Sequence, residues 1–189
     1  EANIDKKKEL HLRKTSKIKS VGSSCAIENN SLSLNEVEGI INGKKVIAPP
    51  NEIIEIQNAY ECYNNINKYN SYSIESFLVA HKTLTSNLIE ESGKFRKCDV
   101  GVYNNGNLVH IGARPEFVMD LIKDLFEWGN MSATNDIIKA CVIHYEIETI
   151  HPFSDGNGRI GRLWQSLILY NYNRLFEYIP IETIVYEHQ

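Results

Sequence analysis

His151-Pro152-Phe153-Ser154-Asp155-Gly156-Asn157-Gly158-Arg159-Ile160-Gly161-Arg162 places a proton acceptor, a carboxylate, a glycine-bounded turn and two guanidinium groups within twelve positions. The residue ahead of a proline is pushed out of helical conformation, so a helix arriving from upstream has to stop before Pro152. Gly156 and Gly158 permit a tight turn. The apolar positions Leu163, Leu167, Ile168 and Tyr170 then carry a new helix away from it. The stretch is therefore a joint between two helices, and its side chains are parts for handling a polyphosphate. His151 can accept a proton near neutral pH, as from an incoming hydroxyl. Asp155 is a hard oxygen ligand suited to Mg²⁺. Gly156, Asn157 and Gly158 can aim successive N–H groups at the phosphates of a nucleotide, at a helix N-terminus whose dipole favours anions. Arg159 and Arg162 share one helix face, and Arg159 adds charge-assisted hydrogen bonds to phosphate. Phe153 reads as a core anchor. Asn157 is either an amide contact to phosphate or a turn-compatible residue.

Working outward, Ile137, Ile138, Cys141, Val142 and Tyr145 form the apolar stripe of the upstream helix, capped by Ser132 or Thr134. Pro115 opens another helix, through Trp128. Val100 and Val102, then Val109 and Ile111, alternate on either side of Asn104-Asn105-Gly106-Asn107, which predicts a short β-hairpin. Ser73–Ile89 and Asn51–Asn67 carry helical spacing, the latter behind an Asn cap and an early Glu. A short helix is expected around Leu34–Ile41, followed by Asn42-Gly43 and a loop closed by Pro49-Pro50. Residues 1–30 read as helical and polar, stopping at Glu28-Asn29-Asn30, where asparagine suits a left-handed end. The expected class is all-α, mostly helical with one small β-hairpin. Residues 1–50 form an N-terminal segment and 51–189 the core domain. The chain begins at Glu1 rather than Met and ends inside a predicted helix, so a fragment truncated at its C-terminus is expected.

A length of 189 residues with 42% hydrophobic content suits one domain with a real core. A net charge of −4 provides no global field to recruit nucleic acid or anionic lipid. Lys6-Lys7-Lys8 and the run from Arg13 to Lys19 lack interleaved aromatic platforms and read as a solvated helix face, so no nucleic-acid partner is expected through this domain. Cys25, Cys62, Cys98 and Cys141 are scattered without metal-ligand spacing, as idle thiols of a reducing compartment would be. No apolar run approaches the roughly 20 residues of a membrane span, and no secretory segment is visible. No membrane partner and a cytoplasmic location are the expectations.

In spelling, the stretch resembles the core motif of the Fic family, His-x-Phe-x-Asp/Glu-Gly-Asn-Gly-Arg-x-x-Arg, with every fixed position filled. The resemblance covers Asn51 to Asn171, including the approach through His144 and Ile150; His144 is given no catalytic role. It implies the mostly helical Fic fold and a reaction: transfer of AMP from ATP to a Tyr, Ser or Thr hydroxyl of a target protein, the enzyme itself included, with release of pyrophosphate. Carried over by position, His151 is the general base and Asp155 the Mg²⁺ ligand. Gly156, Asn157 and Gly158 then form the phosphate nest, and Arg159 and Arg162 bind phosphate. The hairpin matches the family's flap, with Val100, Gly101, Val102, Val109, His110 and Ile111 expected to hold the target as an added strand.

Ser24-Cys25-Ala26-Ile27-Glu28-Asn29 is similar to the inhibitory pattern of one Fic subclass, Ser/Thr-x-x-x-Glu-Gly/Asn. That likeness implies that Glu28, with Ser24 beside it, occupies Arg162. Arg162 cannot hold Glu28 and the γ-phosphate of ATP at once. Other readings stand beside this one. Glu28 could position water to remove AMP from a modified target, or the chain could be an interaction module that senses ATP without turnover. Family members that bind nucleotide inverted depart from the Gly-Asn-Gly spelling, so the unaltered Gly156-Asn157-Gly158 argues for nucleotidyl transfer. UTP or GTP as donor stays open.

Overall fold

The computed structural model describes residues 2–104 and 107–188, with side chains described for 6–101 and 108–188. Its helices are α1 (Ala2–Ile27), α2 (Leu34–Ile41), α3 (Pro50–Asn64), α4 (Ile74–Leu84), α5 (Val118–Met131), α6 (Asp136–Ile150), α7 (Asn157–Tyr172) and α8 (Ile181–Glu187). The strands β1 (Gly101–Asn104) and β2 (Asn107–Ile111) lie between α4 and α5 and pair antiparallel. The expected mostly helical class with one small hairpin is what the chain adopts. The hairpin register runs Gly101 to Ile111 and Val102 to His110, then shifts by one, so Tyr103 pairs with Leu108. The expected turn residues Asn105 and Gly106 lie outside the described residues. Among the described residues no helix is long and apolar enough to cross a membrane.

α7 is the central element. Ile160, Leu163, Trp164, Leu167 and Ile168 are all buried, along with Asn157, Arg159, Gly161 and Arg162. Helices of this kind are enclosed on most faces rather than amphipathic. Around Trp164 the chain gathers an aromatic cluster: Phe77 meets it edge-on at 4.9 Å, Phe126 stacks at 6.0 Å, and Phe153 reaches Phe77 at 5.3 Å. The Trp164 indole N–H donates to the Ser71 carbonyl at 2.8 Å, so its polar atom is satisfied inside the core.

Several boundaries differ from the sequence reading, each for a local reason. α4 was expected to run to Ile89 but stops at Leu84, where Thr85 turns its hydroxyl back onto the His81 carbonyl at 2.8 Å. α6 is capped by Asn135, whose side chain accepts from the Ile137 N–H at 2.9 Å; Ser132 and Thr134 bond to each other in the preceding turn instead. Pro115 opens only a 3₁₀ turn, Pro115–Phe117, before α5. Helix α3 ends at Asn64 rather than Asn67 and is followed by a 3₁₀ turn, Ile66–Lys68.

α1 ends as expected. Asn29 takes φ 68°, the Asn30 N–H reaches the Cys25 carbonyl at 3.1 Å, and the Asn29 N–H reaches Ala26 at 3.0 Å. This paired closure places Glu28 at the cap of the helix. The polar reading of α1 was incomplete: Ser16, Ile18, Ser20, Val21, Ser24 and Cys25 are buried, and the helix packs chiefly against α3 and α8. Arg13 donates to Tyr178, and Ser23 shares a 2.9 Å hydrogen bond with Thr183. α1 is thereby laid along the core with its C-terminal end aimed at the start of α7.

Candidate active site

α6 brings His151 to the site and the turn after it brings the glycines. His151 immediately follows α6 in the left-handed conformation, φ 54° and ψ 60°. Its ring Nδ1 lies 3.3 Å from the Glu148 carbonyl. A carbonyl only accepts, so Nδ1 carries the proton there and Nε2 is left as the basic nitrogen. Burial holds the imidazole below its ordinary pKa, with the Glu148 carbonyl opposing and the neighbouring His110 and Arg96 adding to the depression. A neutral base at pH 7 results.

Below the turn, Phe153 is fully buried and stacks face to face on His81 at 3.6 Å. Asn157 closes the loop on itself: its amide oxygen accepts from the Phe153 N–H at 2.9 Å and its amide nitrogen donates to the Phe153 carbonyl at 2.9 Å. Both polar atoms of that side chain are engaged inside the turn. His81, read only as a helix-stripe position, supports the turn from underneath. Its Nε2 donates to the Asp155 carbonyl at 2.9 Å, and its Nδ1 accepts from the Gly93 N–H at 3.0 Å. Burial pushes His81 down to about 4, so it stays neutral. Gly156 has φ 82°, and the first turn of α7 has no side-chain cap, which leaves N–H groups open to an anion.

The two motif arginines diverge. Arg162 donates to the Ser24 hydroxyl at 3.1 Å, to the Ser24 carbonyl at 3.0 Å and to Glu28 Oε1 at 2.6 Å. One guanidinium thus caps α1 and pairs with its terminal acid. Gly158 makes room for that pair: a Cβ there would lie 2.2 Å from Glu28 Oε1. Arg159 instead donates to Glu55 of α3 at 2.6 Å and to Asp155 at 3.2 Å. Glu55 also accepts from Asn30 at 2.7 Å, so it bridges the turn that closes α1 to the motif. Burial is the main reason its carboxyl sits above the usual range.

His151, Glu28, Gly158 and Arg162 line a cleft of ≈ 600 Å³ together with His110, His144 and Glu148, among others. Asp155, Arg159 and Asn157 are not on its wall. Among the described residues no cluster of three or more His, Cys, Asp or Glu side chains could hold a metal by itself. Asp155 fits Mg²⁺ as a single carboxylate: its side chain is 58% exposed, and one oxygen, Oδ1, takes the bonds from Gly156 and Arg159. Mg²⁺ is commonly held by one or two carboxylates together with phosphate oxygens and water.

Of the hairpin residues, Val109 and Ile111 are 60% and 64% exposed. His110 turns inward, where Nε2 donates to the Thr149 carbonyl at 2.7 Å and ties the hairpin to α6. The Val102 side chain lies outside the described residues. Sequence reasoning missed Glu148 and the company His144 keeps. Glu148 Oε1 and His144 Nδ1 are buried without hydrogen-bond partners and face Gly161, where a Cβ would sit 2.7 Å and 3.2 Å from them. Burial lifts Glu148 to about 7. Their spacing, four apart and leading to His151, was the available signal.

The model of the Fic/DOC family matches residues 71–169, more than half of the chain, and the chain belongs to that family. It is 32% identical over 170 residues to the protein adenylyltransferase fic-1 of Caenorhabditis elegans, covering 84% of this chain and 32% of the relative. Against the protein adenylyltransferase Fic of Nematostella vectensis it is 30% identical over 160 residues, covering 77% and 36%. Among solved structures, a Fic family protein from Desulfovibrio desulfuricans G20 superposes with TM-score 0.90 at 39% identity, covering 94% of this chain and 55% of that one. The chain therefore spans about a third of the length of these curated relatives.

Proposed function

We propose that this site transfers AMP from ATP to a hydroxyl side chain of a target protein and that Glu28 restrains it. The observation that carries the reading is the single cleft in which a neutral His151, the open N-terminus of α7 and an Arg162 held by Glu28 meet. The naming of similar proteins as protein adenylyltransferases supports the same chemistry.

In this mechanism the first turn of α7 cradles the phosphates of ATP through its unpaired N–H groups. The hydroxyl oxygen of a target Tyr, Ser or Thr attacks the α-phosphorus. Its proton passes to Nε2 of His151, a contribution of about 10²–10⁴-fold in rate. The bond from the α-phosphorus to the oxygen bridging the β-phosphate breaks and pyrophosphate leaves, with AMP now esterified to the target. Mg²⁺, when bound with the nucleotide at Asp155, supplies charge neutralisation on the phosphates. The exposed Val109 and Ile111 fit a flap that receives the target as an added strand. Arg159 acts here by fixing Asp155 and the turn rather than by direct contact.

Restraint follows from Arg162. It makes three hydrogen bonds to α1 and is unavailable to a γ-phosphate while they persist. The Glu28 carboxylate would also repel the γ-phosphate. The test is AMP incorporation from α-labelled ATP with Mg²⁺ by Glu28→Gly and by Glu28→Gly/His151→Ala. Label should appear on the first protein, or on an added target, and vanish with the second. Equal labelling by both would sink His151 as the base.

A second reading has its own observation. Glu28 is 32% exposed and lines the cleft, with Arg162 taking Oε1. Its other oxygen could accept a proton from water attacking the phosphorus of an AMP–protein ester, which would restore the hydroxyl and release AMP. Loss of AMP from a pre-labelled target by wild type but not by Glu28→Gly would favour this direction.

A further inference from the structure

The loop between α4 and β1 buries an arginine that the chemistry above does not use. Arg96 is 3% exposed, and its guanidinium donates to four main-chain carbonyls. Nε reaches the His151 carbonyl at 2.6 Å, and Nη1 reaches Cys98 at 2.7 Å. Nη2 bonds to Ala113 and, at 3.3 Å, to Ile150. The carbonyls fall into two pairs. Ile150 and His151 close α6 and include the base; Cys98 and Ala113 flank the two strands of the hairpin.

Main-chain bonds run alongside. The Arg96 N–H donates to Pro152 at 3.0 Å, and the Ala113 N–H donates to Ile150 at 3.1 Å. Gly112 gives the guanidinium its place, since a Cβ there would lie 2.8 Å from Nη2 and 3.1 Å from the His151 Cβ. A helix C-terminus presents carbonyls without intrahelical partners and favours a cation beside them. His151 also holds φ 54°, a conformation that side-chain-bearing residues adopt at functional sites only where the surroundings over-determine it. Arg96 fixes that backbone at its carbonyl. A planar fork can reach several acceptors in one plane, which a lysine ammonium cannot reproduce.

We infer that Arg96 is a positioning residue that fastens the root of the hairpin to the His151 backbone. A protein strand docked on the hairpin is then presented at a set distance from the His151 Nε2. The flap and the base move as one body, and the clamp acts on the transfer step rather than on nucleotide binding. This rests on the AMP-transfer reading for its role, but not for its geometry.

The experiment places Arg96→Met and Arg96→Lys in the Glu28→Gly protein. It measures kcat and the KM for ATP of AMP incorporation into the protein itself, together with amide hydrogen exchange. Arg96→Met should lower kcat about a hundredfold, the scale of a misplacement near 1 Å. The KM for ATP should stay within about twofold, since transition-state rather than uniform binding is lost. Exchange at the Ala113 and His151 amides should rise about tenfold while the amides of α7 keep their protection, as for a local opening. Arg96→Lys should restore only part of kcat, and it carries the test if Arg96→Met does not fold. Unchanged kcat with unchanged exchange at Ala113 and His151 would overturn the inference. So would a uniform rise in exchange that includes α7, which makes Arg96 a general stabiliser. If Glu28→Gly transfers no AMP at all, the AMP-transfer reading fails, while exchange at Ala113 and His151 still decides whether the clamp exists.

Discussion

Arg159 and Arg162 lie one turn apart on α7, each with a side chain only 7% exposed and each holding a glutamate at 2.6 Å. Their partners set them apart. Glu55 sits on α3 with 13% of its side chain exposed, inside the packed body, and shares Arg159 with the Asp155 turn. Glu28 caps a separate helix and is 32% exposed. Under the proposed restraint, the same pair chemistry is scaffold at one arginine and a releasable contact at the other. Moving a carboxylate that is already partly in water costs less than uncovering one inside the packed body.

Removing the partner of Arg159 is the strongest way to break this comparison. Glu55→Ala should destabilise the fold by about 3–5 kcal/mol by leaving Arg159 without its buried carboxylate. Denaturant unfolding reads this directly, and a loss under about 1 kcal/mol would put Arg159 in the releasable class instead.

The groups beneath the two arginines should sharpen the contrast through pH. His81, on the Arg159 side, is held at about 4 against an ordinary 6.5. Its contribution is full above 6.5 and is lost as pH falls toward 4, by about 3 kcal/mol. Glu148, on the Arg162 side, is lifted to about 7 from 4.5. Its contribution is full below 4.5 and is lost as pH rises toward 7, by a similar amount of about 3 kcal/mol. The slopes oppose each other between 4.5 and 6.5. Glu148→Gln should make stability climb more steeply with pH in that window, and His81→Phe should make it fall; parallel curves for both variants would contradict the assignment.

Next in size is activity. Glu28→Gly should raise AMP transfer about a hundredfold, the scale on which one preorganised donor acts on a developing charge. Equal transfer by wild type and Glu28→Gly in the labelling assay would remove the restraint. Smallest is Ser24→Ala, which deletes one of the three hydrogen bonds to Arg162. About 1 kcal/mol of latch is lost, so basal transfer should rise about fivefold.

The motif and the end of α1 were legible because each is contiguous: proline stop, glycine turn and left-handed asparagine are local instructions. The Asn135 cap was misplaced because Ser132 and Thr134 are equally plausible acceptors until one sees them bonded to each other. The buried face of α1 was hidden by its serines, Ser16, Ser20 and Ser24, which carry no apolar signal. Glu55 and Arg96 were beyond sequence reasoning. Glu55 meets Arg159 across 104 positions, and Arg96 binds carbonyls, which every residue has. Asn157 bonds to Phe153, and Arg159 to Glu55 and Asp155, and these turn-stabilising contacts left no local mark in the sequence.

The central claim is that Glu28 acts through Arg162 on the γ-phosphate. Calorimetric affinities for ATP and ADP in wild type, Glu28→Gly, Arg162→Ala and the double variant test it most directly. The account predicts that Glu28→Gly strengthens ATP binding more than ADP binding, and that this selective gain disappears in the Arg162→Ala background. An equal gain for both nucleotides, or a selective gain that survives without Arg162, would contradict it.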